Sequence, residues 1–379
     1  VRRVTVGGSA AGVRELAGAL AGALHGGPAV LPTDPGATIA VPAEPDPGTA
    51  VVIATSGSGG EPKLVQLPAP ALRASAAATA DRLGGPGHWL LALPASHVAG
   101  VQVVVRSLLA GFEPVVQDLR GGFRPAGFAA ATAELGTSGR RYTSLVPTQL
   151  ARVLDAGGAA LEALRGYHAV LVGGAALDER LRARAIAAGA RVVATYGMSE
   201  TAGGCVYDGS PLDGVRVRLD VDGGIRLGGP TLASGYLGRP KLTAAAFTDG
   251  WFRTGDHGRW QDGRLEVLGR LDDMIITGGE KVAPAAVERI LLSQPGVRAA
   301  CAVGLPDPEW GQVVAAAVVT DPGTVADPDR WSDAVRAALG RAARPRRLRT
   351  LPEIPLLGIG KPDRSAVAEL FHRDDRSSG

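Results

Sequence analysis

The sequence predicts an α/β fold with a largely parallel sheet, followed by a β-rich subdomain and a small α+β domain. Three observations carry this. From Ala50 to Thr195, short β-branched apolar runs alternate with stretches of helical character. After Gly204 the pattern changes to short strands turned around Asp-Gly pairs, Asp222–Gly223 and Asp262–Gly263. After Leu271 it changes again, to helices and strands mixed over about a hundred residues.

In chain order, Val13–Leu24 places Val13, Leu16, Ala17, Leu20 and Leu24 on one helical face. Pro28–Pro47 is proline-rich and is expected to be an extended connector. Ala50–Ala54 and Leu64–Leu67 are strands by their β-branched content. Trp89–Leu93, Glu113–Gln117, Tyr142–Val146, Ala169–Val172 and Arg191–Thr195 are further strands. Val101–Leu109 is apolar enough for a buried helix, interrupted by Arg106. Pro147 is placed to start a helix running to Leu154. Asp178 is placed to cap a helix over Glu179–Ala188. Val215–Asp220 with Gly224–Leu227, and Arg259–Gln261 with Arg264–Leu268, form two hairpins. The last segment predicts a helix over Ala285–Ser293, strands over Ala299–Gly304 and Val313–Val319, and a helix over Trp331–Ala343. Arg373–Gly379 is polar and expected to fray.

Composition excludes several classes. A chain of 379 residues is too long for one ordinary core, so two or three domains are expected. Lys+Arg 40 against Asp+Glu 37 leaves a net charge of +3, which is no nucleic-acid footprint. The basic run Arg341–Arg349 is read as a solvated surface. Cys205 and Cys301 have no metal-ligand spacing, so neither a disulfide framework nor a zinc site is expected. No long apolar run or signal-peptide pattern marks a membrane protein, and a cytoplasmic location is the default.

The stretch with most chemical character is Thr55–Lys63, T-S-G-S-G-G-E-P-K, between two strand-like runs. Glycines let backbone N–H groups approach a polyphosphate, hydroxyls donate to it, and a lysine supplies charge. A polar hairpin without a ligand has the same composition, so the loop alone decides nothing. It is not a Walker A loop, because Lys63 follows Pro62 and is followed by Leu64 in place of a hydroxyl.

Four distant motifs accompany it: T-Y-G-M-S-E-T at Thr195–Thr201, W-F-R-T-G-D at Trp251–Asp256, G-R-L-D-D-M-I-I-T-G-G-E at Gly269–Glu280, and G-K-P-D-R at Gly360–Arg364. In this order the five motifs resemble the adenylate-forming superfamily of acyl-CoA synthetases, adenylation domains and luciferases, over about Ala50 to Arg364. The resemblance implies a large N-terminal domain, residues 1–271, hinged to a mobile C-terminal domain, residues 272–379. It implies ATP, Mg²⁺ and coenzyme A as reactants and cofactors. A carboxylate attacks the α-phosphate of ATP, pyrophosphate leaves, and a thiol then displaces AMP.

Residue by residue, the resemblance assigns Thr55, Ser56, Gly57, Ser58 and Lys63 to the β- and γ-phosphates. Glu200 would hold Mg²⁺, a hard cation that prefers oxygen. Ser199 would contact the α-phosphate. Tyr196 and Gly197 would lie at the adenine beside Gly173, Gly174 and Ala175. Asp256, assisted by Arg270, would accept from the ribose hydroxyls. Lys361 would reach the carboxylate and the α-phosphate and stabilise developing charge. Asp272 would be the hinge, and Gly278, Gly279 and Glu280 would line the pantetheine channel. Position 59 carries Gly59 where the family usually has a hydroxyl. An uncompensated loss of that bond costs about 1.5–3 kcal/mol, so weaker ATP binding, or a rearranged grip that uses the Gly59 backbone N–H, is expected.

The acid is read from Leu93–Gly100, L-P-A-S-H-V-A-G, and the helix after it. His97 stands where the family has an aromatic residue or histidine near the acyl carbonyl. An unpaired buried guanidinium at Arg106 is costly, so it should meet an anion. That anion is either internal, Glu113 or Asp118, or a second carboxylate on the substrate. The H-V-x-G…R arrangement resembles o-succinylbenzoate–CoA ligases of menaquinone synthesis, compact enzymes that fit the short N-terminal part here. Ser144, Gly174 and Thr201 would be further walls. The partner is thus a small carboxylic acid, with no nucleic acid or membrane, and a homodimer stays open. A carrier-protein thiol in place of coenzyme A, a different acid, or a non-catalytic homologue are the alternatives. Retained Lys361, Glu200 and Asp256 weigh against the last.

Overall fold

The computed structural model describes residues 1–55, 62–136, 138–357 and 361–377, and of Leu357, Lys361 and residues 374–377 the backbone alone. Contacts group the chain into two compact units. The first comprises Val1–Arg218, Arg226–Thr254 and Asp262–Leu265; the second comprises Leu219–Ile225, Gly255–Gln261 and Glu266–Gly379.

The first unit holds two sheets. One begins with strands β1 (Arg2–Thr5), β2 (Val30–Thr33), β3 (Thr49–Thr55) and β4 (Lys63–Pro68), in that order, and ends on Gly235–Tyr236. β1, β2 and β3 are parallel, while β3 and β4 run antiparallel with Thr55 opposite Lys63. The extended connector expected over Pro28–Pro47 therefore contains a fully buried strand, β2. Only four residues long and holding Pro32, β2 has too little periodicity to show before its neighbours β1 and β3 are known.

The other sheet contains β5 (His88–Leu91), β6 (Val115–Val116), β7 (Arg141–Leu145), β8 (Ala169–Val172), β9 (Val192–Met198), β10 (Gly203–Tyr207) and β11 (Ser210–Pro211). Their order is β11-β10-β9-β8-β7-β5-β6, and β6, β5, β7, β8 and β9 are mutually parallel. Helices α1 (Ala10–Leu24) and α2 (Ala69–Leu83) lie between the sheets, since α1 touches β1, β3 and β6 and α2 touches β4 and β10, while α3 (Val98–Leu109) is packed between those two helices and β5, β7 and β10. A sandwiched helix must be apolar on all sides, and every residue of α3 from Gly100 to Ser107 is buried. Helices α4 (Pro125–Glu134), α5 (Pro147–Ala156), α6 (Gly158–Arg165) and α7 (Glu179–Ala187) pack with the β7–β9 strands around Phe128, Leu150, Leu164 and Tyr167. Asp178 caps α7 by accepting from Leu181 N at 3.0 Å.

The β-rich stretch forms a third sheet in the order Arg216–Leu219, Gly224–Gly228, Trp251–Gln261, Phe247–Thr248, with Arg264–Arg270 beside Trp251–Gln261. Its second turn places Asp262 at φ 50 and Gly263 at φ 73, the left-handed pair that an Asp-Gly hairpin adopts.

In the second unit Val297–Asp307 and Gly311–Thr320 form a long antiparallel pair, with a register shift between Val297 and Ala299 and alternation beyond it. Ala300, Ala302, Val314, Ala316 and Val318 face the helices Pro284–Leu292 and Pro328–Leu339. Cys301, Val303, Val313, Ala315 and Ala317 pack with Val367 and Phe371. The C-terminal end, expected to fray, is helical over Arg364–Ser377, because Val367 and Phe371 are buried in that second cluster.

The basic run Arg341–Arg349 is not a free solvated face. Arg341 and Arg346 lie over the Trp310 ring at 5.9 and 5.1 Å, Arg347 and Arg349 donate to the carbonyls of Phe371 and Leu370, and Arg344 pairs with Asp333.

Cys205 and Cys301 are free and buried. Burial pushes each thiol up to about 12. The thiolate is the reactive species, so the folded protein is expected to resist a disulfide reagent at about pH 8. Two equivalents should react after unfolding in guanidinium. Rapid native labelling at either position would contradict this burial.

Candidate active site

The candidate residues fall in both units, and each group is described within its own. In the first unit the parallel sheet gathers most of them. β5, β7, β8 and β9 are adjacent and parallel, so their carboxyl ends form one edge. From that edge emerge His97 after β5, Ser144 near the end of β7, Gly173–Ala175 after β8, and Tyr196–Thr201 at the end of β9. Ligands of open α/β sheets bind at this edge.

Each position has a local cause. His97 occupies the N-cap of α3, and its carbonyl accepts from Val101 N at 3.0 Å. Gly174 and Ala175 are exposed, with Gly174 at φ 80. Gly197 lies against β10, where a Cβ would meet the Gly203 carbonyl oxygen at 2.1 Å. Ser199–Thr201 form a short 3-10 turn that ends on Ala202 at φ 52. The Ala202 carbonyl accepts from Ser75 Oγ at 3.0 Å and Gln102 Nε2 at 2.8 Å. These buried side chains from α2 and α3 offset the strained backbone and fix the turn that presents Ser199 and Glu200.

Thr201, expected as a wall of the acyl site, is corrected. It is fully buried, and its hydroxyl accepts from Met198 N and faces the Gly203 carbonyl at 2.7 Å. It holds the turn together and has no polar atom left to offer a ligand.

The phosphate-loop residues Ser56, Gly57, Ser58 and Gly59 lie outside the described residues. Their flanks are described: Thr55 Oγ1 donates to the Lys63 carbonyl at 3.3 Å. Lys63 Nζ stands 5.5 Å from the centre of the Tyr236 ring, and the Tyr236 hydroxyl donates to Glu200 Oε1 at 2.9 Å. Two residues expected at the polyphosphate, Lys63 and Glu200, are thus joined through a third that motif reading passed over. The signal for Tyr236 was weak, a lone aromatic in G-Y-L-G beside a short strand.

Among the described residues no group of three or more His, Cys, Asp or Glu side chains is placed to hold a metal ion. Mg²⁺ is usually held by one or two carboxylates with substrate phosphates completing its shell. Glu200 fits as the single protein carboxylate.

Arg106 is 7% exposed and meets no carboxylate among the described residues. Its Nη2 donates to the Tyr207 hydroxyl at 3.4 Å, its guanidinium lies 5.0 Å from the Trp89 ring, and its Nε has no partner among the described residues. Of the two internal anions considered for it, Asp118 pairs with Arg120 at 2.5 Å. That Arg120 hydrogen bond holds the Asp118 carboxyl down at about 2.

In the second unit Asp256, Arg270 and Asp272 lie together. Arg270 Nε is 3.6 Å from Asp256 Oδ1, and its Nη2 is 3.5 Å from Asp272 Oδ2. Gly278 takes φ 56 against Trp310, whose ring a Cβ would approach to 2.6 Å. Thr277, Glu280, Trp310, Arg341 and Arg346 line one recess there.

Of Lys361 the backbone is placed, opposite Leu357 in a two-stranded pair. Arg364, three residues on, forms a bidentate pair with Glu288, donates to the Ala302 carbonyl at 2.6 Å, and lies 3.4 Å from Asp273. Burial alone would lower its pKa, but the Glu288 hydrogen bond and charge raise it above the usual arginine value. Glu288 was missed because its partner lies 76 residues away.

Comparison with known proteins gives the family. Residues 27–237 match the model of the AMP-binding enzyme family, and residues 286–361 match the AMP-binding enzyme C-terminal domain. A Mycobacterium tuberculosis protein named a probable 2-succinylbenzoate–CoA ligase is 46% identical over 334 residues, 86% of this chain and 85% of that protein. The amide bond synthetase McbA of Marinactinospora thermotolerans superposes with a TM-score of 0.78 at 30% identity, covering 91% of this chain and 76% of its own. The o-succinylbenzoate CoA synthetase MenE of Bacillus subtilis, solved with the acyl-adenylate OSB-AMP, gives 0.73 at 29% identity over 84% and 69%. This chain belongs to the family of AMP-binding enzymes.

Proposed function

We propose that this chain is a 2-succinylbenzoate–CoA ligase of menaquinone synthesis, which activates its acid with ATP and passes the acyl group to coenzyme A. The observation that carries the reading is the edge formed by β5, β7, β8 and β9, where His97, Ser144, Gly173–Ala175 and Ser199–Glu200 emerge side by side. An acyl group and the α-phosphate of a nucleotide must meet in one place, and such an edge provides it. The 46% identity to the Mycobacterium tuberculosis ligase supports the choice of acid, as does Arg106, a buried cation suited to a second carboxylate.

In the first step one carboxylate oxygen attacks the α-phosphorus, and the bond to pyrophosphate breaks. Thr55, Ser56, Ser58 and Lys63 grip the leaving pyrophosphate, Ser199 contacts the α-phosphate, and Lys361 offsets the negative charge of both reactants. Glu200 would hold Mg²⁺, which would supply charge neutralisation. Asp256 and Arg270 take the ribose, and Tyr196 takes the adenine. In the second step the thiol sulfur, its proton lost to solvent, bonds to the acyl carbon, and the acyl C–O bond to AMP breaks. The hinge at Asp272, between residues 1–271 and 272–379, exchanges Lys361 for the thiol-transfer face. Gly278–Glu280 carry the pantetheine, and the Trp310 face with Arg341 and Arg346 suits an aromatic base and phosphates of coenzyme A. Two free buried cysteines suit a reducing cytoplasm.

The test is ATP–pyrophosphate exchange over a panel of acids, followed by acceptor assays with coenzyme A, a phosphopantetheinyl carrier and simple amines. Exchange driven best by 2-succinylbenzoate, with coenzyme A as the preferred acceptor, is the expected result. Preference for a monocarboxylate would overturn the choice of acid. Preference for an amine would favour the amide-forming chemistry that the McbA name describes.

A further inference from the structure

Tyr236 is held from several sides. Its strand pairs antiparallel with β4, Tyr236 opposite Val65, and Leu237 N donates to the Leu64 carbonyl at 2.8 Å. Ala233 N donates to the Glu200 carbonyl at 2.9 Å, which ties the same segment to the 3-10 turn. The Tyr236 amide donates to Thr243 Oγ1 at 2.9 Å, and its ring meets Phe247 edge-on at 5.8 Å. The residue is 5% exposed, so ring and hydroxyl have fixed positions.

What those positions accomplish concerns charge. Lys63 and Glu200 carry opposite charges on neighbouring elements, yet no carboxylate of a described residue pairs with Lys63. The ammonium rests over the face of the Tyr236 ring, where the quadrupole attracts it weakly. The carboxylate takes the hydroxyl at one oxygen, and no described residue donates to the other. A direct ion pair would have to be broken before a metal-bound polyphosphate could use either group. With the phenol in contact with both, Glu200 has one oxygen oriented and the other without a donor among the described residues, and Lys63 stays a cation without an anion among the described residues.

We propose that Tyr236 is a positioning residue for the metal–polyphosphate site: its hydroxyl orients Glu200 toward the metal and its ring keeps Lys63 from that carboxylate. The proposal rests on the reading of Glu200 and Lys63 given above and adds how their charges are kept apart. Tyr236→Phe removes the hydroxyl alone, and Tyr236→Leu removes the ring as well.

The experiment is calorimetric titration of ATP into the protein, without acid, in excess Mg²⁺ and again in EDTA, with a melting curve for each variant. The unsubstituted protein is expected to bind ATP more tightly with Mg²⁺ than without. Tyr236→Phe should shrink that metal-linked gain by about tenfold, the scale of one hydrogen bond to a charged group, and leave metal-free affinity within about twofold. Tyr236→Leu should weaken both, because Lys63 then closes on Glu200, and adding Glu200→Gln should restore metal-free affinity by releasing Lys63. A full metal-linked gain in Tyr236→Phe, with only the melting temperature lowered, would show that Tyr236 is structural and overturn the proposal. Absence of any gain in the unsubstituted protein, or its persistence in Glu200→Gln, would instead sink the underlying assignment of Glu200.

Discussion

Lys361→Ala is expected to lower acid-dependent pyrophosphate release by about a hundredfold to a thousandfold, the loss typical of removing one charge stabiliser from a transition state. Conversion of supplied acyl-adenylate to the coenzyme A ester should stay within about threefold. The asymmetry follows from the charges involved. In adenylation an anionic carboxylate approaches an anionic phosphate, and a cation reaching both lowers their repulsion and stabilises the crowded phosphorus. In thioester formation the phosphate is the leaving group's tail and the attack is at carbon, so the same cation has less to offset. Three residues after Lys361, Arg364 is held by Glu288, the Ala302 carbonyl and Asp273. Separate assays of the two half-reactions decide the matter. Equal loss in both would refute the assignment of Lys361 to adenylation.

Arg106→Ala is expected to raise the KM for 2-succinylbenzoate by about ten- to a hundredfold while the KM for ATP stays nearly constant. The scale is that of a lost charge-assisted hydrogen bond to a carboxylate. The structure sharpens this prediction. The internal anion at Asp118 is already taken by Arg120, and the guanidinium meets Trp89 and Tyr207, neither of which carries a negative charge. Such a group retains most of its pull on an incoming anion. The control is a monocarboxylate analogue lacking the second acid group, whose KM should be unchanged by the substitution. If the KM for the dicarboxylate is also unchanged and only the melting temperature falls, Arg106 serves packing alone.

Legibility in the sequence differed by the range of the interaction concerned. Strand Ala169–Val172 and the cap at Asp178 were read correctly, because a β-branched run and a carboxylate before a helix are local signals. The strand Val30–Thr33 was hidden, since a four-residue segment with a proline gains its identity from the parallel neighbours β1 and β3. The arginines of Arg341–Arg349 looked like a solvated face because Trp310, Phe371 and Leu370 are distant in the chain. Thr201 was placed by its motif at the acyl site, and the turn it closes uses its hydroxyl entirely.

The sequence by itself determined the family: five motifs in order, carrying Lys361, Glu200 and Asp256. Those are short-range patterns, set by which side chains a phosphate or a metal accepts. Only the tertiary structure decided how they are supported. It lined four strand ends into one edge, covered α3 with α1, α2 and the parallel sheet so that Arg106 is buried without a carboxylate among the described residues, and set the Tyr236 ring against Lys63 with its hydroxyl on Glu200. The reason is that sheet pairing joins residues far apart in the chain, and no local pattern of residues records which strands become neighbours.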